Sequence, residues 1–228
     1  VTNDGAPDYA YAADTGGNVY RVDFIDSPSS RTARAAADWT SRKVAYTGAA
    51  GRKFLFAPAL LYSDDKVYVA LGSGDREHPL EAHYPYDDVL NRFYVYRDNL
   101  AAPSTTLAVN MDAMANYTSS DSCNTAQVLP DSTLNGWFMD LNQYGKGEQV
   151  VTSALIAGGM VTFSTNRPVP APLGSCSTAL GQARGYWVNL LNGSGAIDVP
   201  GACGGKRSSV FVGGGLPPSP VFASSVQI

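Results

Sequence analysis

The sequence predicts an all-β fold, a partial and modified β-propeller with long loop insertions. Three features of the composition are typical of many short strands joined by turns. Charged residues make up only 16% of the chain, Gly and Pro number 23 and 14, and aromatic residues reach 11%. Because 228 residues fit one β-rich domain, we expect a single propeller-like domain over residues 1–228. We expect it to be a fragment of a larger propeller, with the N-terminal region of the parent protein absent.

Eleven segments predict strands, because each is short, rich in apolar or aromatic residues and bounded by turn residues. In chain order they are residues 9–13, 19–24, 54–62, 66–71, 92–97, 136–141, 149–156, 160–165, 184–191, 210–212 and 220–223. Gly16-Gly17 predicts a tight turn inside the first hairpin, since glycine tolerates positive φ. Asp64-Asp65 takes the same place in the second hairpin.

The remaining stretches have weaker patterns. Residues 27–39 tolerate a helix because four of them are alanine, and residues 99–133 are polar and predict a long loop. Residues 92–97 alternate as in a half-buried strand. Tyr84, Tyr86, Phe93, Tyr94 and Tyr96 either pack in the interior, which we favour, or form a stacking surface for glycans.

Small residues lead into a strand at three places, and this repetition indicates propeller blades. The three lead-ins are residues 57–59, 152–154 and 218–221. The inner strands of a propeller crowd a central channel and therefore favour small side chains. The chain accordingly predicts about three blades, with an open antiparallel sandwich as the alternative.

Charge and hydropathy exclude two classes of partner. The net charge is −4, whereas phosphate binding needs a basic surface, so nucleic acid is not expected as a partner. No apolar run approaches the roughly 18 residues of a membrane-spanning helix. No integral membrane segment is therefore expected.

The three cysteines leave the disulfide pairing open. Cys176 and Cys203 flank one strand-like segment and could close a loop, but Cys123 could pair with either of them, and all three could stay reduced. None of them belongs to a C-x-x-C pair, so zinc binding and thioredoxin-like chemistry are not expected. We favour a Cys176–Cys203 disulfide.

The N-terminus carries part of a calcium-loop pattern. Such loops place carboxylates at alternating positions, with a glycine at the sharp turn. Asp4, Gly5 and Asp8 fit the final positions of a compact D-x-D-x-D-G-x-x-D loop, while Thr2 stands where a ligand is expected and the first ligand would precede Val1. We expect calcium binding by Asp4 and Asp8 more in an intact parent than in this chain. The alternative is a simple β-turn at Asp4-Gly5.

The densest polar cluster is Asp75-Arg76-Glu77-His78. A histidine beside carboxylates can act in acid–base chemistry, but Ser73 lies in Gly-Ser-Gly and not in a nucleophile elbow. We therefore expect Asp75, Arg76 and Glu77 to tie a blade corner through charge-assisted hydrogen bonds. No catalytic residue is predicted, and the chain is not expected to be an enzyme.

Several segments together resemble the PilY/PilC family. Residues 8–23 resemble its D-x-x-Y-x-x-D-x-x-G-N-x-[WY]-R-x-D strand pair, and residues 69–80 its G-[TS]-G-D-R-E-x-P-L segment. Further matches follow in the family's order, a blade of the form G-W-[YF]-x-D-L … G-E-x-V … F-[ST]-T and a G-L-P-P-S-P ending. They lie in residues 136–141, 148–151, 161–166 and 215–220.

This resemblance implies an exported bacterial factor of type IV pili with a C-terminal modified β-propeller. Such proteins act at the pilus tip with minor pilins, in assembly, retraction control, adhesion to host or surface ligands and surface sensing. A calcium loop in the propeller affects retraction, and Asp4 and Asp8 would occupy its last two ligand positions. An extracellular location at the pilus tip is the corresponding expectation.

Two other functions remain open. Residues 185–193 weakly resemble the blade signature of quinoprotein dehydrogenases. Membership of that class would make the chain an enzyme. A self-associating extracellular filament subunit is the third possibility, and regular self-association would distinguish it from a tip protein present in few copies.

Overall fold

The structure is a computed structural model that describes residues 5–48, 51–78, 86–119, 135–169, 174, 180–199 and 204–222. These residues form three sheets, which do not close into a ring. The cysteines and the first four residues lie outside them. No helix in the described part of the chain is long and apolar enough to cross a membrane.

Sheet 1 contains the first hairpin. Its strands are β1 (Tyr9–Ala13), β2 (Asn18–Asp23), β3 (Thr40–Tyr46) and β7 (Val109–Asn110), in the order β1-β2-β3-β7. The turn between β1 and β2 forms because Asp14 Oδ1 accepts hydrogen bonds from the backbone of Gly16 (2.9 Å) and Asn18 (2.8 Å). Gly17 adopts a φ of 78°, as the sequence predicts for this turn.

Sheet 2 contains the second hairpin and lies between the other two sheets. Its strands are β4 (Ala59–Ser63), β5 (Lys66–Gly72), β6 (Arg92–Asn99), β8 (Ala115–Asn116) and β9 (Gly136–Asp140), in the order β4-β5-β6-β9-β8. The pairs β3–β7 and β8–β9 are parallel, whereas the hairpin pairs are antiparallel.

Sheet 3 completes the described architecture. Its strands are β10 (Gln149–Val150), β11 (Leu155–Ala157), β12 (Met160–Arg167), β13 (Gln182–Asn189) and β14 (Ser208–Val210). β12 is central, with β13 on one side and β10 and β11 on the other. Gly158 and Gly159 form the tight turn between β11 and β12, with φ angles of 57° and 77°.

Two apolar clusters join the sheets, and β6 contributes to both. Tyr94 and Tyr96 belong to the cluster between sheets 1 and 2, whereas Phe93 and Val95 belong to the cluster between sheets 2 and 3. Phe93 stacks on Phe163 of β12 with a centroid separation of 3.7 Å. The prediction that residues 92–97 form a half-buried strand is therefore wrong on burial, because neighbouring sheets cover both faces of β6. The same packing places Phe93, Tyr94 and Tyr96 in the interior and not on a glycan-binding surface. Tyr86 is half-buried, and Tyr84 lies outside the described residues.

Other local predictions also differ from the structure. Residues 27–39 form a loop with a single 3-10 turn, Ala36–Asp38, because the alanine-rich stretch is too short and too exposed to stabilise a helix. The loop predicted over residues 99–133 contains β7, β8 and a 3-10 turn at Met111–Ala113, although residues 120–134 lie outside the described part. The strand predicted over residues 220–223 is absent from residues 220–222, in keeping with Pro220, which cannot donate a ladder hydrogen bond, and residue 223 lies outside the described part.

The predicted strand over residues 149–156 is split into β10 and β11. Thr152 Oγ1 accepts a hydrogen bond from the Ser164 backbone (3.0 Å), and so takes the place of a backbone partner. Because a side-chain oxygen accepts this hydrogen bond, the backbone ladder with β12 is interrupted between β10 and β11.

The small lead-in predicted at residues 57–59 precedes β4, whose Leu60, Leu61 and Tyr62 are exposed. The three sheets do not enclose a channel within the described residues, so the lead-in does not border a central channel there.

Candidate functional site

Asp75 is the buried member of the polar cluster predicted from the sequence. Its carboxylate receives Lys53 Nζ at 2.5 Å and His78 Nδ1 at 2.9 Å, and its side chain is 3% exposed. Its backbone N–H donates to Gln149 Oε1 at 2.6 Å, which ties the end of β5 to β10. Sequence reasoning singled out neither Lys53 nor Gln149, because both are distant in the chain.

Arg76 and Glu77 are exposed and differ from Asp75 in this respect. The structure places the interactions of this corner at Asp75. The local sequence alone does not distinguish the buried acid from its exposed neighbours, because all three belong to one polar run.

We expect Asp75→Ala to lower the free energy of unfolding by about 2–3 kcal/mol, because it leaves Lys53 without its buried partner. Burial alone would raise the pKa of Asp75, but hydrogen bonds from Lys53 and His78 outweigh burial and hold this pKa below its usual value. Arg76→Ala is the matched control and should change stability by less than about 0.5 kcal/mol. Urea denaturation followed by circular dichroism measures both, and equal losses for the two variants would contradict this assignment.

The histidine of this cluster has one feature of an acid–base group. His78 is oriented by a buried carboxylate, and its side chain is 48% exposed. The hydroxyl of Ser73 bonds to other residues and not to His78. Ser73 Oγ donates to Asn91 Oδ1 at 2.9 Å and accepts a hydrogen bond from the Arg92 backbone N–H at 2.9 Å. Ser73 therefore joins β5 to β6.

The other predicted sites lie largely outside the described residues. Asp4 of the calcium loop and all three cysteines belong to this group, so calcium binding and the Cys176–Cys203 disulfide stay predictions. Asp8 is half-buried, and its carbonyl oxygen accepts a hydrogen bond from the Phe24 backbone at 3.0 Å. Over the described ranges, no three His, Cys, Asp or Glu side chains are grouped so as to hold a metal ion.

A buried ionic cluster, here called the Asp98 cluster, joins sheets 1 and 2. Asp98 accepts hydrogen bonds from Arg21 Nη1 (2.8 Å), Tyr11 Oη (2.7 Å) and Tyr96 Oη (3.1 Å), and Arg21 also pairs with Asp23 at 2.5 Å. Arg21 is 3% exposed and Asp98 is 3% exposed. Tyr11, Arg21 and Asp23 all belong to the first family-like motif, so these motif residues have structural roles.

The tyrosines of this interface should make the protein sensitive to alkali. Burial, opposed in part by Arg21, raises the pKa of Tyr9 to about 12, and burial and Asp98 raise the pKa of Tyr11 and Tyr96 further. A raised pKa contributes stability that is complete below the ordinary tyrosine value of about 10 and is lost as pH rises above it.

We therefore expect the free energy of unfolding to fall above about pH 10, with a group of tyrosines ionising only as the protein unfolds. Ultraviolet tyrosinate absorbance and circular dichroism, recorded on the same samples, measure this. Normal titration of all 13 tyrosines in a protein that keeps its native spectrum would contradict it.

A second ionic cluster, here called the Asp112 cluster, lies at the same interface. Asp112 Oδ1 accepts hydrogen bonds from Arg52 (2.9 Å), Arg92 (2.8 Å) and Tyr94 (2.7 Å), and Oδ2 accepts one from the Gly48 backbone at 2.8 Å. These donors come from two segments, the loop between β3 and β4 and strand β6. One carboxylate thus connects both segments to the 3-10 turn at Met111–Ala113.

Glu148 provides the corresponding acid beside sheet 3. It is 1% exposed, and Oε1 accepts hydrogen bonds from Thr165 (2.6 Å) and Tyr186 (2.7 Å). Oε2 is buried and has no hydrogen-bond partner in the described part of the chain. Burial and the neighbouring Glu148 carboxylate raise the pKa of Tyr186 well above its usual value.

A cleft of about 670 Å³, here called the Arg42 cleft, opens between sheet 1 and the loop that follows β6. Three arginines line it, Arg21, Arg34 and Arg42, together with serine and threonine hydroxyls. This volume lies in the range of small-molecule sites. The sequence did not reveal the cleft, because its lining comes from five separate segments.

No family model matches this chain, and no curated protein matches it in sequence. Among solved structures, it is similar to the crystal structure of the Pseudomonas aeruginosa PilY1 C-terminal domain, with a TM-score of 0.61 and 18% sequence identity. The alignment covers 84% of this chain and 45% of that chain, so the present chain spans less than half of that domain. At this identity the likeness concerns the fold, and it confirms the PilY-type all-β fold that the motifs predicted.

Proposed function

We propose that this chain is the propeller part of a type IV pilus-associated protein of the PilY type. In this proposal it acts at the pilus tip in assembly, retraction control, adhesion and surface sensing. The observation that carries the proposal is the likeness to the PilY1 C-terminal domain over 84% of the chain. It gains weight because the motifs that resemble the family in sequence lie within a fold of the same kind.

The positions of the motif residues support this reasoning. Arg21 and Asp23 join sheets through the Asp98 cluster, Asp75 anchors the end of β5, and Glu148 lies buried beside sheet 3. Residues that hold a particular arrangement of sheets are expected to recur in proteins that share that arrangement. The motifs therefore support a shared architecture and not a shared catalytic centre.

A non-catalytic role is part of the proposal. The Asp75–His78 pair is the arrangement closest to an acid–base dyad, and the hydroxyl of Ser73 is bonded to Asn91 instead of to that pair. Binding is favoured over catalysis because no described nucleophile is activated by a base.

Minor pilins and host or surface ligands are the proposed partners. Exposed apolar side chains occur on sheet 3, where Trp187, Val210 and Phe211 are 53%, 47% and 44% exposed, and on β4. Exposed apolar groups of this kind are common in protein contact surfaces. An extracellular location at the pilus tip accompanies these partners.

Calcium belongs to the proposal through Asp4 and Asp8 and concerns the longer parent protein. Calcium addition should raise the melting temperature of that parent, and Asp8→Asn should remove the increase. A thermal shift series with calcium, magnesium and chelator measures this. An unchanged melting temperature with calcium would contradict calcium binding.

The experiment that tests the proposed function is immunogold microscopy of filaments sheared from the source cells, with the intact mass of the labelled protein. Label at filament tips, on a protein much larger than 24.0 kDa, supports the proposal. Label spaced evenly along filaments would replace it with a filament subunit, and label absent from filaments would remove the pilus assignment. A bound quinone chromophore in the purified protein would instead favour the dehydrogenase.

A further inference from the structure

The Arg42 cleft has the chemical character of a saccharide site. Its lining combines five serine and threonine hydroxyls and several charged side chains with apolar groups such as Leu100 and Pro103, a mixture that suits a ligand with both hydroxyls and C–H faces. The hydroxyl residues are Ser27, Ser29, Thr40, Ser41 and Ser104. Hydroxyls can both donate and accept hydrogen bonds, so they match sugar hydroxyls in either direction. Tyr9, half-buried in the same lining, offers an aromatic surface.

The three arginines of the cleft differ in how their charges are balanced. Arg21 is paired with two carboxylates, Asp23 and Asp98, at 2.5 and 2.8 Å. Arg34 is paired with Asp26 at 3.3 Å. These two guanidinium groups therefore already have anionic partners.

Arg42 has none among the residues that the structure describes. Its Nη1 donates to the carbonyl oxygens of Pro103 (3.1 Å) and Ser104 (3.4 Å), which carry no formal charge. Its Nε is buried and makes no hydrogen bond. A partly buried guanidinium with unused donors and no carboxylate is suited to bind an anionic group, most strongly a planar carboxylate.

Asp65 adds a carboxylate to the lining. It is exposed, it accepts a hydrogen bond from Tyr62 Oη at 2.9 Å, and it forms no ion pair with a cation of the described ranges. A free carboxylate in such a position accepts hydrogen bonds from ligand hydroxyls. Counting the described residues alone, the lining thus contains one cation and one anion without an oppositely charged partner, together with a set of hydroxyls.

We propose that the Arg42 cleft binds an acidic saccharide, a sugar that carries a carboxylate. The carboxylate pairs with Arg42, and the sugar hydroxyls bond to Asp65 and to the serine and threonine side chains. This inference rests on the adhesive role proposed above and adds a ligand class to it. A neutral sugar would leave Arg42 unpaired, whereas an apolar ligand would leave the polar lining unsatisfied.

The test is calorimetry and saturation-transfer NMR on the full chain with four probes: N-acetylneuraminic acid, glucuronic acid, glucose and the dipeptide Gly-Asp. We expect saturable binding of at least one acidic sugar and no binding of glucose at the same concentration. Arg42→Gln should weaken that binding by about tenfold or more, and Arg42→Lys should weaken it less. Lys43→Gln is the matched control, because Lys43 is exposed on the same strand and does not line the cleft.

Three results would overturn the proposal. The first is that neither acidic sugar binds saturably. The second is that Gly-Asp binds more tightly than the acidic sugars. The third is that Arg42→Gln and Lys43→Gln, both with an unchanged melting temperature, lose the same affinity for the acidic sugar. Failure here is separable from failure of the proposed function, since tip labelling without sugar binding would remove the ligand class alone.

Discussion

Replacing Asp112 by alanine should lower the free energy of unfolding by about 3–5 kcal/mol, because it leaves two arginines without their shared anion. The Asp112 side chain is 16% exposed and the Arg52 side chain 6% exposed, so water can replace little of the lost interaction. Arg92 keeps its second partner, Asp140, at 2.6 Å. Urea denaturation of the purified chain, fitted with a common slope, measures the change.

The effect of Asp112→Ala should depend on pH in a defined direction. Burial alone would raise the pKa of Asp112, but the hydrogen bond from Tyr94 and the charges of Arg52 and Arg92 outweigh it and hold this pKa below its usual range. A lowered pKa contributes stability that is present above the unfolded value, about 3.9, and is lost as pH falls through the folded value. The difference between wild type and variant should therefore shrink below about pH 4.

Asp87→Ala is the control for this prediction. Asp87 also pairs with a cation, Lys146, at 2.8 Å, but its side chain is 63% exposed. A surface pair of this kind contributes little to stability, because water and salt screen the charges. A loss for Asp112→Ala no larger than that for Asp87→Ala would show that the Asp112 cluster does not join sheets 1 and 2 in solution.

Replacing Trp137 by alanine should cost a similar amount, about 3–5 kcal/mol, through lost packing between sheets 2 and 3. Trp137 is 1% exposed, stacks on Tyr117 with centroids 6.0 Å apart, and donates from Nε1 to the Leu190 carbonyl at 2.8 Å. Alanine removes the ring from a closely packed site and leaves that carbonyl without its donor. Thermal and urea unfolding, followed by circular dichroism, measure the loss.

Trp187 supplies the matched comparison for Trp137. It lies on β13 and is 53% exposed, so Trp187→Ala should change the free energy of unfolding by less than about 1 kcal/mol. Trp137→Phe should fall between the two, because phenylalanine keeps part of the packing and loses the hydrogen bond. The packing account of Trp137 is wrong if both tryptophan-to-alanine variants lose the same stability.

The hairpins were predictable because their signals are local. Gly16-Gly17 and Asp64-Asp65 occupy the turns of β1–β2 and β4–β5, as the sequence indicated. Asp64 and Asp65 both adopt positive φ, at 52° and 57°, which aspartate tolerates better than most residues. The predicted strand ends were less accurate where a side chain takes the place of a backbone hydrogen-bond partner, as Thr152 does between β10 and β11.

The residues of the candidate sites were less predictable than the strands. The polar run at residues 75–78 showed where the chain carries charge, but only the structure distinguishes buried Asp75 from exposed Arg76. Arg42 gave no signal in the sequence, because an arginine in a strand is ordinary. Its importance comes from the absence of a carboxylate beside it among the described residues, and this depends on which distant segments surround it.

The sequence by itself determined the all-β class, the hairpins and the resemblance to one family, since strand patterning, turn chemistry and motifs are properties of neighbouring residues. Only the tertiary structure decided which charges meet. Arg21 and Asp98 are separated by 77 positions, and Arg52 and Asp112 by 60. The register and stacking of the three sheets bring these groups within hydrogen-bond distance. The same stacking covers both faces of β6 and places Arg42 in an open cleft with no carboxylate partner among the described residues, because the interactions that position whole sheets act between segments far apart in the chain.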